Sequence, residues 1–214
     1  MIYSMVLFSS VAWAQAEGSV EAAFQVARKA INPEVQTKVV SAYGMGSPTA
    51  ITKWYFIFYD PAVKSHGRAV LVENKKIVKA YPATGGMVYS SSLTFDPSRL
   101  TSEGPALNAA ELYAAKHQIK YDTVHALLKQ KSVNKPFRWQ IELLDRGASK
   151  GYVMVNTMDN TVASYVPTTS GATPQKTSTS ETEATGFAND VKKTFVGVGG
   201  DLEEFFTGKR TVDK

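Results

Sequence analysis

Lys53–Asp60 reads KWYFIFYD and Arg138–Asp145 reads RWQIELLD. Trp54 and Trp139 stand 85 positions apart, and so do Asp60 and Asp145. Each stretch leads into a glycine, an apolar strand pattern, a polar turn and a second strand pattern carrying a tyrosine near its end. These are GRAVLVENKKIVKAYP from Gly67 to Pro82 and GYVMVNTMDNTVASYVP from Gly151 to Pro167. Gly67 and Gly151 are 84 apart, as are Tyr81 and Tyr165. A period of this length in a chain of 214 residues predicts two copies of one small unit.

Working outward, Phe137, Trp139, Ile141 and Leu143 alternate with Arg138, Gln140 and Glu142, a strand with one face in a core and one in water. In the first copy Trp54, Phe56 and Phe58 alternate with Tyr55, Ile57 and Tyr59, so both faces are apolar or aromatic. Upstream, Phe24, Ala27, Ala30 and Ile31 fall at helical spacing, predicting a helix over Val20–Ile31 capped by Ser19 and stopped by Asn32-Pro33. Its counterpart is Asn108–Ile119. Lys38–Tyr43 and Thr123–Lys129 read as first strands, although His125–Lys131 also fits a helix extension. Hairpins are expected at Asn74-Lys75-Lys76 and at Met158-Asp159-Asn160. Between the copies lie possible short strands at Val88-Tyr89 and Leu93-Thr94-Phe95, while Gly44-Met45-Gly46 and Gly85-Gly86 read as turn glycines. The expected fold class is α+β, with two tandem units of one helix on an about four-stranded antiparallel sheet, followed by a C-terminal amphipathic helix.

Residues 1–16 read as a signal peptide: an apolar run over Ile2–Val11, then small-x-small sites at Ala12/Ala14 and Ala14/Ala16. A buried N-terminal strand or helix is the alternative. The first unit then spans 17–82, a linker or crossover 83–103, the second unit 104–167, a flexible Thr/Ser-rich linker 168–185 and the tail helix 186–207. In that tail Phe187, Val191, Phe195, Val198, Leu202, Phe205 and Phe206 line one side. The tail helix Phe187–Phe206 is expected to dock on the protein's own body or on a partner. No apolar run reaches the roughly 20 residues of a membrane-spanning helix.

The chain has no cysteine, which excludes a disulfide framework, a thiolate metal site and a cysteine nucleophile. The formal charge of +5 is scattered along strands rather than stacked in the dense stripe of a nucleic-acid binder. Localisation is therefore expected to be periplasmic or secreted.

An alanine-rich helix (Ala22–Ala30), an aromatic strand (Trp54–Asp60) and a final hairpin (Val70–Val78), repeated as Ala109–Ala115, Trp139–Asp145 and Val153–Val162, resemble the PepSY and PepSY-like domains of bacterial exported proteins. Glu73-Asn74-Lys75-Lys76 and Asn156–Asn160 replace the usual Asp…Gly turn, so another cystatin-like helix-on-sheet family is the alternative. The resemblance implies a non-catalytic module that restrains peptidases or binds ligands outside the cytoplasm.

Catalytic signatures are sparse. His66, His117 and His125 form no metal-ligand spacing, and no GxSxG, GxxxxGK[ST] or GxGxxG occurs, so neither cofactor nor metal is expected. The doubled aromatic surface of Tyr55, Ile57 and Tyr59 needs a cover from the linker, the other copy or a ligand. As a binding surface, Tyr55 and Tyr59 would supply flat contact area and Arg68 would hold an anionic group. The leading expectation is an exported, non-enzymatic interaction module of the cell envelope with an envelope protein as partner. The alternative is a small-molecule carrier or enzyme with a cone-shaped pocket lined by Tyr55, Tyr59 and Asp60 or His66.

Overall fold

The computed structural model describes residues 19–83, 88–130 and 137–168. The expected signal segment, the linker from 169 onward, the tail helix and Gly85-Gly86 lie outside the described residues.

Helix α1 runs Val20–Ala27, and the Ser19 side chain accepts the Ala22 N–H at 3.2 Å, satisfying one of the helix's unpaired first-turn donors. It continues as a 3-10 turn over Arg28–Ala30, filling the span expected up to Ile31. Helix α2 spans Glu103–Lys116, starting five residues ahead of Asn108, because Pro105 is tolerated in a first turn. It stops before Ile119, where Gln118 enters the left-handed region at φ 56°. The Glu103 carboxylate accepts the Val20 N–H at 2.9 Å, so the start of α2 satisfies a donor at the start of α1.

The strands are β1 (Val39–Ser47), β2 (Ala50–Tyr59), β3 (Gly67–Glu73), β4 (Lys76–Pro82), β5 (Thr123–Lys129), β6 (Arg138–Asp145), β7 (Ala148–Asn156) and β8 (Val162–Pro167). They form one antiparallel sheet of eight strands in the order β4-β3-β2-β1-β5-β6-β7-β8. The α+β class holds, but the strands that follow the two helices share a single sheet, because β1 and β5 pair and each removes the other's open edge. His125 lies in strand, not in a helix extension.

Register runs in parallel on the two sides of the β1/β5 seam. Gly44 faces Trp54 and Ala42 faces Phe56; Leu128 faces Trp139 and Ala126 faces Ile141. The irregularity between Leu71 and Val72 recurs between Met154 and Val155. Both helices cover the face bearing Trp54, Phe56, Phe58, Trp139, Ile141 and Leu143. There the two indole rings meet at 6.2 Å, and Phe24 of α1 packs on Phe56 and Phe58 at 5.8 and 6.0 Å.

Gly44 and Gly46 lie inside β1 and not in a turn. A Cβ on Gly44 would come within 2.7 Å of the Trp54 ring and the Ile51 side chain, so glycine is what lets β1 pass the indole. In the connector, Leu93 sits in a 3-10 turn and Phe95 makes a single bridge to Val39, in place of a short strand. The Phe95 ring packs against Phe137 at 4.9 Å, on the helix side. No strand forms at Val88-Tyr89; Tyr89 packs where a Cβ on Gly67 would otherwise stand, 2.3 Å from its ring.

Candidate functional site

The opposite face of the sheet carries a second apolar cluster of Tyr43, Tyr55, Ile57, Ala69, Ala83, Tyr89, Leu127 and Tyr152, to which neither helix contributes. Strand pairing arranges this face in rows. One row runs Lys79, Leu71, Tyr55, Tyr43, Leu127, Gln140, Met154, Ser164, and the next runs Lys53, Met45, His125, Glu142, Tyr152. Tyrosines dominate on the β1–β4 side and polar groups on the β5–β8 side.

Of the residues expected to bind a ligand, Tyr55 is 2% exposed and its hydroxyl is hydrogen-bonded to that of Tyr81. Tyr59 is half-buried, edge-on to His66 at 5.9 Å, with the Lys38 ammonium 5.8 Å from its ring centre. The Arg68 Nε donates to Asp60 Oδ2 at 2.7 Å. Burial pushes the Asp60 carboxyl upward, but the bond from Arg68, the Ala62 N–H and the guanidinium charge outweigh it and hold the group below its ordinary range. Asp145, its counterpart by spacing, is held instead by Lys150 at 3.0 Å. Tyr89 closes the end of this cluster, its phenol pushed up to about 12 by burial and by Tyr81. His117 stacks on Tyr113 at 4.2 Å beyond the end of α2.

The chemistry concentrates on the other side of the seam. His125, opposite Glu142 in the β5/β6 ladder, places Nδ1 3.0 Å from Glu142 Oε2, and both side chains are nearly buried. Burial acts to raise the Glu142 carboxyl, but the bond and charge of His125, with further bonds from Ser149 and Tyr152, hold it below its usual value. An ionised carboxylate only accepts, so His125 Nδ1 carries the proton of this hydrogen bond. Tyr43 lies 5.6 Å from the imidazole, ring centre to ring centre. Burial and the Glu142 carboxylate push the phenols of Tyr43 and Tyr152 upward, so both stay protonated donors at neutral pH. On the same face the Ser41 hydroxyl and the Gln140 carbonyl oxygen are buried without a hydrogen-bond partner among the described residues. Buried polar atoms are rarely left so.

Neither His125 nor Glu142 stands out in sequence: one is a lone histidine, the other an ordinary wet-face position. The available signal was register, since pairing Trp139 with Leu128 sets Glu142 against His125. No family model matches the chain, and no curated protein or solved structure shows significant similarity to it.

Proposed function

We propose that the chain is an exported, non-enzymatic binding module of the bacterial cell envelope, built from two PepSY-like or cystatin-like units with a C-terminal tail helix. It recognises its partner with the face of the sheet opposite α1 and α2. The observation that carries this reading is the buried Tyr43–His125–Glu142–Tyr152 group beside the two unsatisfied atoms of Ser41 and Gln140, on the one face to which neither helix contributes. Doubled register across the β1/β5 seam supports the two-unit origin, with 84- and 85-residue spacings recurring as equivalent pairs. Among the described residues no helix is long and apolar enough to cross a membrane.

The test immobilises the full chain against an extract of envelope proteins. Leu71 and Met154 are half-buried on the helix-free face, whereas Leu112 is exposed on α2. A protein retained by the parent and by Leu112→Arg, and lost from Leu71→Arg/Met154→Arg, is the expected result. Equal retention by all three overturns the choice of face.

One observation favours a second reading, a small-molecule enzyme. His125 is oriented by a carboxylate, the arrangement in which an imidazole serves as general base. Turnover of a substrate that disappears in His125→Gln would replace the binding module with this alternative.

A further inference from the structure

A groove of about 690 Å³ opens at the start of β6 and the end of β7, where Arg138 and Asn156, one row beyond Gln140 and Met154, meet Arg99 and Thr101 of the connector. Arg99, Thr101, Phe137, Arg138, Met158 and Asp159 are among its walls. The Arg99 guanidinium lies over Phe137, 4.5 Å from the ring centre, and spends one Nη1 donor on Gln130 Oε1 at 3.3 Å. Arg138 gives its Nε to Asn156 Oδ1 at 2.8 Å, which fixes the guanidinium and leaves both Nη groups unspent. Neither arginine is paired with a carboxylate among the described residues. This is unusual for two guanidinium groups sharing one cleft, since their mutual repulsion is offset by no partner.

Two further observations narrow the ligand. The Thr101 hydroxyl is buried with no hydrogen-bond partner among the described residues, a polar atom that a bound oxygen would satisfy. Asp159, the one carboxylate in the wall, is tied to the Thr161 N–H and hydroxyl at 3.0 and 2.7 Å and held ionised by those bonds. Two cations and one anion leave the lining with a single surplus positive charge, which suits a monoanion and disfavours a dianion. The Phe137 ring and the Met158 thioether, the latter 96% exposed, supply apolar wall, and the volume is that of a small-molecule site.

We propose that this groove binds a small organic monocarboxylate with an apolar or aromatic body. Arg138 and Arg99 receive the carboxylate as a forked pair, Thr101 donates to it, and Phe137 and Met158 flank its carbon skeleton. Its occupant is distinct from the protein partner argued above, although Arg138 borders the same face.

The test is an NMR titration of the full chain, at constant ionic strength, with benzoate, acetate and inorganic phosphate. Saturable shifts of the Thr101, Arg138 and Thr157 amides are expected with benzoate, which should bind about tenfold tighter than acetate because its ring adds contact with Phe137 and Met158. Arg99→Gln, at an exposed position where folding is not at issue, and Arg138→Gln should each weaken benzoate about tenfold or more. Arg138→Lys should restore only part of the loss, because a point charge cannot make the fork. Asp159→Asn should tighten binding by removing the repelling carboxylate. Shifts reproduced by chloride, tighter binding of phosphate than of benzoate, or affinity indifferent to Arg99→Gln and Arg138→Gln would each overturn the proposal. So would the absence of saturation up to tens of millimolar benzoate.

Discussion

The two faces of the sheet treat the internal repeat differently. On the helix side, apart from Gly44 opposite Trp54 and Leu128 opposite Trp139, matching positions hold similar residues: Trp54 and Trp139, Phe56 and Ile141, Val70 and Val153, Val72 and Val155. On the helix-free side the same register sets Tyr43 against Leu127, Ser41 against His125, Tyr55 against Gln140 and Ile57 against Glu142. A helix of fixed radius demands a core of one shape wherever it lands, so the covered face tolerates little change. The opposite face, buried at Tyr43, Tyr55, Ile57 and Gln140, takes its packing from neither α1 nor α2. Its β1–β4 side closed over with tyrosines, and its β5–β8 side took up a buried charge pair. The difference teaches where to look for function: in the places where the two sides of the β1/β5 seam disagree.

The largest effects belong to the covered face. Trp54→Ala and Trp139→Ala should each lower unfolding free energy by about 3–5 kcal/mol in urea titrations. Their rings touch, so the double variant should cost less than the sum. A loss below about 1 kcal/mol at either position would break the equivalence of the halves. Gly44→Ala comes next, at about 1–3 kcal/mol, because its methyl meets the Trp54 ring and Ile51 at 2.7 Å. Trp54→Phe shortens the obstructing ring, so Gly44→Ala should cost less in that background than alone. An equal cost in both backgrounds would show that the indole is not what the glycine accommodates.

On the open face the effects shrink and acquire pH dependence. Glu142→Gln should cost about 1–3 kcal/mol at neutral pH, the loss of a charged, buried hydrogen-bond acceptor. The folded state depresses Glu142, so its contribution is complete above the unfolded carboxylate range near pH 4 and disappears as pH falls through the folded value below that. Asp60, depressed by Arg68, acts in the same direction. Glu103 runs oppositely: burial raises it, so its ionisation above that raised value costs stability. Glu142→Gln should therefore flatten the fall in midpoint between pH 5 and 3. An unchanged slope would mean that the His125–Glu142 pair does not hold the β5–β8 side of the face.

Repetition of Trp54 and Trp139 made the helices, the four hairpin-linked strands after each and the core face legible in the sequence, because alternation and spacing are local signals. The joining of all eight strands was not, since β1/β5 pairing depends on an edge contact some 84 residues apart in the chain. Gly44 was misread for a related reason: its role is set by a tryptophan on the neighbouring strand, and a lone glycine looks like a turn. Tyr55 was legible as needing a cover, with the connector among the candidates, but the residues that supply it were not: they are Tyr81 two strands away and Tyr89 in the connector. The Arg99–Arg138 groove joins a 3-10 turn to a strand 39 residues later, and no periodicity announces such a meeting.

The smallest effect sharpens the contrast between the two sides of the open face. Tyr81→Phe removes one hydroxyl from the Tyr55–Tyr81 pair and should cost about 1 kcal/mol. Neither partner in this bond is a carboxylate or an imidazole, so this loss should be the same at pH 5 and pH 8. Tyr55→Phe combined with Tyr81→Phe should cost less than the two single changes added, because the bond they share can be lost only once. Additive costs would mean that each hydroxyl relies on other partners, and a loss that varied with pH would tie the tyrosine side to the His125–Glu142 charge across the seam. In that event the two sides would titrate as one unit, and the open face would be a single site and not a packed side beside a polar one.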